Sequence, residues 1–189
     1  LDVHFSPKER RCGVAFRDSQ KPTKEGFVAE LPKHRDNLFY NTDGCVGPPA
    51  LKARTFSSTF NREDDIMLVQ FFLKKIAANP QVFNRPFFPP KEHSVMTVDG
   101  KHGPITQAWI EKWQVHLHNI GRPIHRDGLV DRCQRGQEKS SRTNTVYTLM
   151  MLNVAFGQVT GDDGWDTWWK ADEVPGLLKA SVRAPETFL

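Results

Sequence analysis

A chain of 189 residues, 38% apolar and 25% charged, is long enough for one domain with a real core, and its composition is that of a soluble globular protein. No apolar run approaches the ~20 residues that cross a bilayer, so no membrane span is expected. The net charge of +4 permits attraction to polyanions such as nucleic acid, anionic lipid or acidic envelope polymers, but 26 basic residues face 22 acidic ones, so charge alone selects no partner.

Residues 1 to 60 carry no sustained helical period. Apolar clusters such as Val14-Ala15-Phe16, Phe27-Val28-Ala29 and Leu38-Phe39-Tyr40 are separated by Pro, Gly, Asp and Asn. That pattern predicts loops and short strands, an irregular N-terminal extension that wraps around a core formed elsewhere. Cys45-Val46-Gly47-Pro48-Pro49 cannot lie inside a helix and marks the passage to the next unit. The three cysteines, Cys12, Cys45 and Cys133, include no C-x-x-C pair, which argues against a zinc knuckle or a thioredoxin-like motif. In an oxidising compartment Cys12 and Cys45 are the expected disulfide; otherwise all three are buried thiols.

From residue 61 the pattern becomes helical. Asn61 is the expected N-cap, and Glu63, Asp64 and Asp65 bring negative charge to the helix start. Ile66, Val69, Leu73 and Ile76 recur at helical spacing, Leu68 and Phe72 widen the stripe, and Asn79-Pro80 ends it. Prolines 80, 86, 89 and 90 then exclude a helix or central strand, so Phe83, Phe87 and Phe88 belong to an ordered loop and pack onto the neighbouring helices. An aromatic shelf for a ligand is the alternative.

Residues 98 to 114 read V-D-G-K-H-G-P-I-T-Q-A-W-I-E-K-W-Q. Asp99-Gly100 supplies a tight turn, Gly103-Pro104 redirects the backbone, and Thr106 is placed to cap the following helix. On that helix Trp109, Trp113, Leu117 and Ile120 share a face broadened by Ile110, and Gly121 suits its end. Gln107, Glu111 and Gln114 point elsewhere.

Three quoted segments carry a resemblance: Gln70-Phe71-Phe72-Leu73, the turn from Asp99-Gly100 through Gly103-Pro104 to Thr106, and Trp113-Gln114. Together, over about residues 62 to 121, they resemble the peptidoglycan-binding-like domain of cell-wall hydrolases, with its Q-x-x-L helix, D-G-x-x-G-P-x-T turn and aromatic-Gln pair. The resemblance implies a small helical bundle that binds bacterial cell-wall glycan or peptide without cutting it. Two departures lie beside the implied groove: the connection between the helices is longer and richer in Pro and Phe, and His102 stands where the family commonly has an aromatic or other large residue.

Asp127-Gly128 repeats the turn device ahead of a third helix. The intervening segment, with Arg132, Arg135, Lys139 and Arg142 against Glu138, reads as a solvated basic loop, or as a contact to a carboxylate or phosphate polymer. The third helix is expected over residues 143 to 156, apolar on nearly every side, and ended by Gly157. Trp165, Trp168 and Trp169 then anchor a short tail helix to the core, a sugar platform being the alternative, and Pro175 opens another helix around Leu177-Leu178.

Seven histidines raise the question of a metal. His116 and His118, two apart on a helix, project roughly 200 degrees from one another and cannot share an ion. No H-E-x-x-H, G-x-S-x-G, Walker loop or Cys-His signature is present, and Glu63, Asp64 and Asp65 are explained by the helix start, so no metal, cofactor or catalytic residue is expected.

The expected architecture is therefore mainly α, a peptidoglycan-binding-like three-helix bundle over residues 61 to 157, with the extension 1 to 60 and a Trp-rich tail 158 to 189 packed on it. The expected function is non-catalytic binding of peptidoglycan or a related envelope polymer, in the bacterial envelope or outside the cell. Lys101, His102, Gln107, Trp109, Glu111, Trp113 and Gln114 are the candidate contacts, the two tryptophans forming the floor. Asp99, Gly100, Gly103, Pro104, Thr106, Asp127 and Gly128 shape the turns. The rival expectations are a structural or adaptor protein of a phage virion or secretion apparatus that meets a protein partner, and a cell-wall hydrolase. Specific nucleic-acid binding is not expected, because the basic residues are scattered and no recognised motif accompanies them.

Overall fold

A computed structural model describes residues 38–54, 59–79, 82–134, 137, 139–140, 143–182 and 186–187. The architecture is mainly helical: α1 (Glu63–Ala78), α2 (Pro104–Asn119), α3 (Thr148–Trp165) and a short α4 (Gly176–Ser181). The two-residue strands β1 (Leu38–Phe39) and β2 (Glu186–Thr187) pair antiparallel, Leu38 opposite Thr187. Helix α1 packs against the other three helices.

That position explains why α1 is buried more completely than its apolar stripe predicts. Every residue from Asp65 to Leu73 is buried, including Gln70. Across α1 and α3, Phe72 stacks on Phe156 with ring centroids 4.2 Å apart, and Phe71 stacks on Trp168 at 5.1 Å. Tyr40 joins the same cluster against Trp165 and Trp168. The tail tryptophans Trp165 and Trp168 are core anchors, and each such side chain contributes several kcal/mol of apolar burial, about 3–5 if truncated to alanine.

Helix ends differ from expectation in four places. Asn61 does not cap α1: it sits at φ +53°, its amide pairs with the Gly47 N–H and C=O, and Arg62 takes the cap position. Thr106 does not cap α2, which begins two residues earlier with Pro104 at its first position; a fixed φ and a missing N–H suit that site. The third helix starts at Thr148 rather than residue 143. Thr143, Thr145 and Val146 are β-branched, and Val146 forms bridges with Ile124 and Lys139 instead. Gly157 does not end α3; it is buried within it, and the break falls at Gly161, where φ is +66°. At the end of α2 the expected stop holds: Gly121 is left-handed at φ +81°, its N–H reaches the His118 carbonyl, and the Arg122 N–H reaches that of Leu117.

The loop between α1 and α2 buries Phe87 and leaves Phe88 63% exposed. Phe83 takes a left-handed φ of +54°, rare for an aromatic residue. Its N–H donates to Gln158 Oε1, its ring stacks on Trp113, and the Arg122 guanidinium lies 4.9 Å from its centre, which together hold it there.

The described part of the N-terminal segment is stitched into the core rather than laid over it. Val46 exchanges backbone hydrogen bonds of 2.9 and 2.7 Å with Val130, and Asn153 of α3 pairs with both backbone groups of Tyr40. Cys45 Sγ is 3.4 Å from Asp131 Oδ1; Cys12 lies outside the described residues, and so does the expected pairing of the two.

Three Asp-Gly turns are each held by a buried side chain from a helix. Asp65 accepts the N–H groups of Asp43 and Gly44. Gln70 Oε1 accepts those of Asp99 and Gly100, while its Nε2 donates to Asp99 Oδ1, the Lys101 carbonyl and Thr106 Oγ1. Gln114 Oε1 accepts the Gly128 N–H, and its Nε2 donates to the Leu129 carbonyl and Thr148 Oγ1. Gln70→Leu keeps the volume and strands several polar groups. It is expected to lower the free energy of unfolding by about 2–4 kcal/mol in urea denaturation. A loss below about 0.5 kcal/mol contradicts the clamp.

Candidate functional site

The first turn and the start of α2 bring the polar candidates together. Lys101 and His102 leave the clamped Asp99-Gly100 turn, and Gln107 and Glu111 follow on α2 four residues apart, hence on one face. His102 Nε2 is 3.0 Å from Gln107 Oε1, and Gln107 Nε2 donates to Glu111 Oε1 at 2.7 Å. The same Nε2 donates to the Gly128 carbonyl at 3.3 Å, so this row ties the first turn to the second. Because the Gln107 amide donates in two directions, its oxygen faces the imidazole, which fixes His102 as the Nε2–H tautomer.

Exposure sorts the candidates. Lys101 and Glu111 are exposed, and His102 and Gln107 are half-buried. Trp109, Trp113 and Gln114 are corrections to the expected contact list. Trp113 and Gln114 have no exposed surface and Trp109 has 3%. Trp109 Nε1 donates to the His93 carbonyl, Trp113 lies under Phe87 and Phe83, and the Gln114 amide holds the second turn. These three support the surface from beneath. Asp99, Gly100, Thr106, Asp127 and Gly128 lie in or against the two turns, with Gly103 and Pro104 starting the helix.

Burial governs the electrostatics. It holds the His102 ring below the usual imidazole range, partly offset by Gln107. His116, stacked on Trp113 and edge-on to Phe87, is lowered by burial and by the nearby Lys112, and its Nε2 has no hydrogen-bond partner. The Lys101 N–H, aided by Gln70, keeps the Asp99 carboxyl below its ordinary range. In the second turn, Asp127 Oδ2 meets His125 Nδ1 at 3.0 Å.

Among the described residues, no group of three or more His, Cys, Asp or Glu side chains is arranged to hold a metal ion. Nor is any described helix long and apolar enough to cross a membrane. Arg135, Glu138 and Arg142 of the basic segment lie outside the described residues. Compared with protein-family models, curated proteins and solved structures, the chain gives no match.

The role of Gly128 was not expected beyond turn-shaping. It has φ +74°, and a Cβ there would sit 2.1 Å from Gln107 Nε2, so its glycine makes room for the row. The signal available in the sequence was the repeated order of a helical Gln, then Asp-Gly, then a helix-start Thr.

Gly128→Ala is expected to cost about 1–3 kcal/mol and to displace Gln107, visible as a changed His102 imidazole resonance and titration. An unmoved His102 signal contradicts the row. Stability should also depend on pH. His102 and His116 have native pKa values below the unfolded value of about 6.5, so the unfolded chain takes up protons that the native chain refuses. Stability is complete above about pH 6.5 and falls as pH drops from there through the lower native values. His116→Gln should flatten that fall as pH drops below about 6.5; an unchanged slope in chemical denaturation contradicts it.

Proposed function

We propose that the protein binds bacterial cell-wall peptidoglycan, or a related envelope polymer, without cutting it, at the cell envelope or outside the cell. The observation that carries this reading is the continuous row from His102 through Gln107 to Glu111, with Lys101 beside it, running between two clamped turns. Side chains fixed by hydrogen bonds on rigid turns lose little freedom when a ligand binds, which favours recognition. The resemblance of the Gln70 helix and the Asp99–Thr106 turn to peptidoglycan-binding-like domains supplies the polymer, and the three-helix bundle of that family is the finer form of the fold we assign. The non-catalytic part of the reading is supported by the row's having one carboxylate, Glu111, where glycoside hydrolysis uses two across the bond.

A second reading rests on Phe88 and Val95, which are 63% and 78% exposed in the loop before α2. Exposed apolar side chains suit protein contact, so a structural or adaptor role in a phage virion or secretion apparatus is the rival. Stable oligomers or a co-purifying partner, without polymer binding, would favour it.

The deciding experiment is retention on purified sacculi at moderate salt, paired with release of dye from labelled peptidoglycan. The expected result is retention of the wild type and loss of most of it in the Lys101→Ala, His102→Ala, Gln107→Ala triple variant, with no dye release. Absence of retention, equal retention of the variant, or dye release overturns the proposal.

A further inference from the structure

Resting on the envelope-polymer reading, we infer that the row recognises the peptide part of such a polymer rather than its sugar chain, and in particular a short peptide bearing both an amino group and a carboxylate. A pyranose ring is held by stacking its C–H groups on an open aromatic face, whose π cloud is electron-rich. The aromatic rings of α2 next to the row offer no such face: Trp113 is fully buried, Trp109 is 3% exposed, and its indole N–H is taken by the His93 carbonyl. The neutral amide of Gln107, suited to sugar hydroxyls, already has its nitrogen engaged by Glu111 and by the Gly128 carbonyl.

What the row offers a ligand is charge at its two ends. Lys101 is an exposed cation beside His102, and Glu111 is an exposed anion one helical turn beyond Gln107. Only Oε1 of Glu111 meets Gln107, leaving Oε2 as an acceptor for an ammonium group. Between them, the half-buried His102 is held in place by the contact of its Nε2 with Gln107, 3.0 Å away. A cation and an anion at the two ends of one fixed row match a dipolar peptide, with its carboxylate at Lys101 and its amine at Glu111. A neutral sugar draws only hydrogen bonds from these two groups, whereas a dipolar peptide adds charge–charge attraction at both. Charge-assisted bonds at exposed positions are also weakened by salt, which gives the mode of recognition a signature.

The full chain is tested on three probes: intact sacculi, glycan strands stripped of peptide by an amidase, and a synthetic tripeptide of alanine, γ-linked glutamate and lysine with free termini. The expected result is retention on sacculi, none on stripped glycan, and competition by the tripeptide that is lost when its amines are acetylated. Lys101→Gln and Glu111→Gln, both at exposed positions and checked for unchanged circular dichroism, should each weaken tripeptide binding by about threefold to tenfold. Raising salt from about 0.05 to 0.5 M should weaken it further. Equal retention on stripped glycan, or indifference to acetylation, overturns this inference while the envelope-polymer reading stands. Failure of all three probes to bind overturns both.

Discussion

The carboxamide of Gln70 lies wholly inside the protein, where an unpaired amide would cost about 1–3 kcal/mol for each stranded group, and every feature of the candidate surface depends on how that amide is satisfied. Its oxygen holds the two N–H groups of a turn that its nitrogen also grips from the other side. The turn cannot rotate without stranding several polar atoms, so Lys101 and His102 leave it in one direction. Gln114 repeats the arrangement on α2 for the turn at Gly128. The row between them spans two fixed points.

This arrangement separates support from display. Tryptophan and glutamine side chains that look like ligand contacts in a linear reading, Trp109, Trp113 and Gln114, are consumed in fixing the corner. The exposed set is smaller and more charged. Helices α1 and α3, the tail and the N-terminal segment share one aromatic cluster of Phe71, Phe72, Phe156, Trp168 and Tyr40, which locks α1, the helix that carries Gln70, in place.

Much of the fold was legible because it is written in local periodicity. The stripe from Ile66 to Ile76 gave α1, that from Trp109 to Leu117 gave α2, and Asp99-Gly100 gave the turn. What the sequence did not reveal depends on partners far along the chain. Asp65 reads as one of three helix-start acids, yet it serves as acceptor for a turn 21 residues earlier. Gly157 reads as a stop, but packing around a buried glycine outweighs its helix penalty of about 1 kcal/mol, and the stop moved to Gly161. Of the candidate site, the turn residues and the four polar side chains were legible; the burial of Trp109, Trp113 and Gln114 was not, because amphipathic spacing tells which face a residue occupies and not how deeply a neighbouring loop covers it. Phe87 supplies that cover.

The clamped turns also bear on the chemical ageing of the chain. Among aspartyl bonds, the one followed by glycine is the most open to succinimide closure, in which the glycine nitrogen attacks the aspartyl carboxyl group, water leaves, and the product reopens partly as isoaspartate. Here the nitrogens of Gly44, Gly100 and Gly128 each donate to a buried acceptor, at 2.8, 3.0 and 2.8 Å. The nucleophile is withheld until the hydrogen bond is broken. Isomerisation at these three sites is therefore coupled to unfolding, and the bonds that aim the surface residues also set how long the covalent backbone beneath them stays intact.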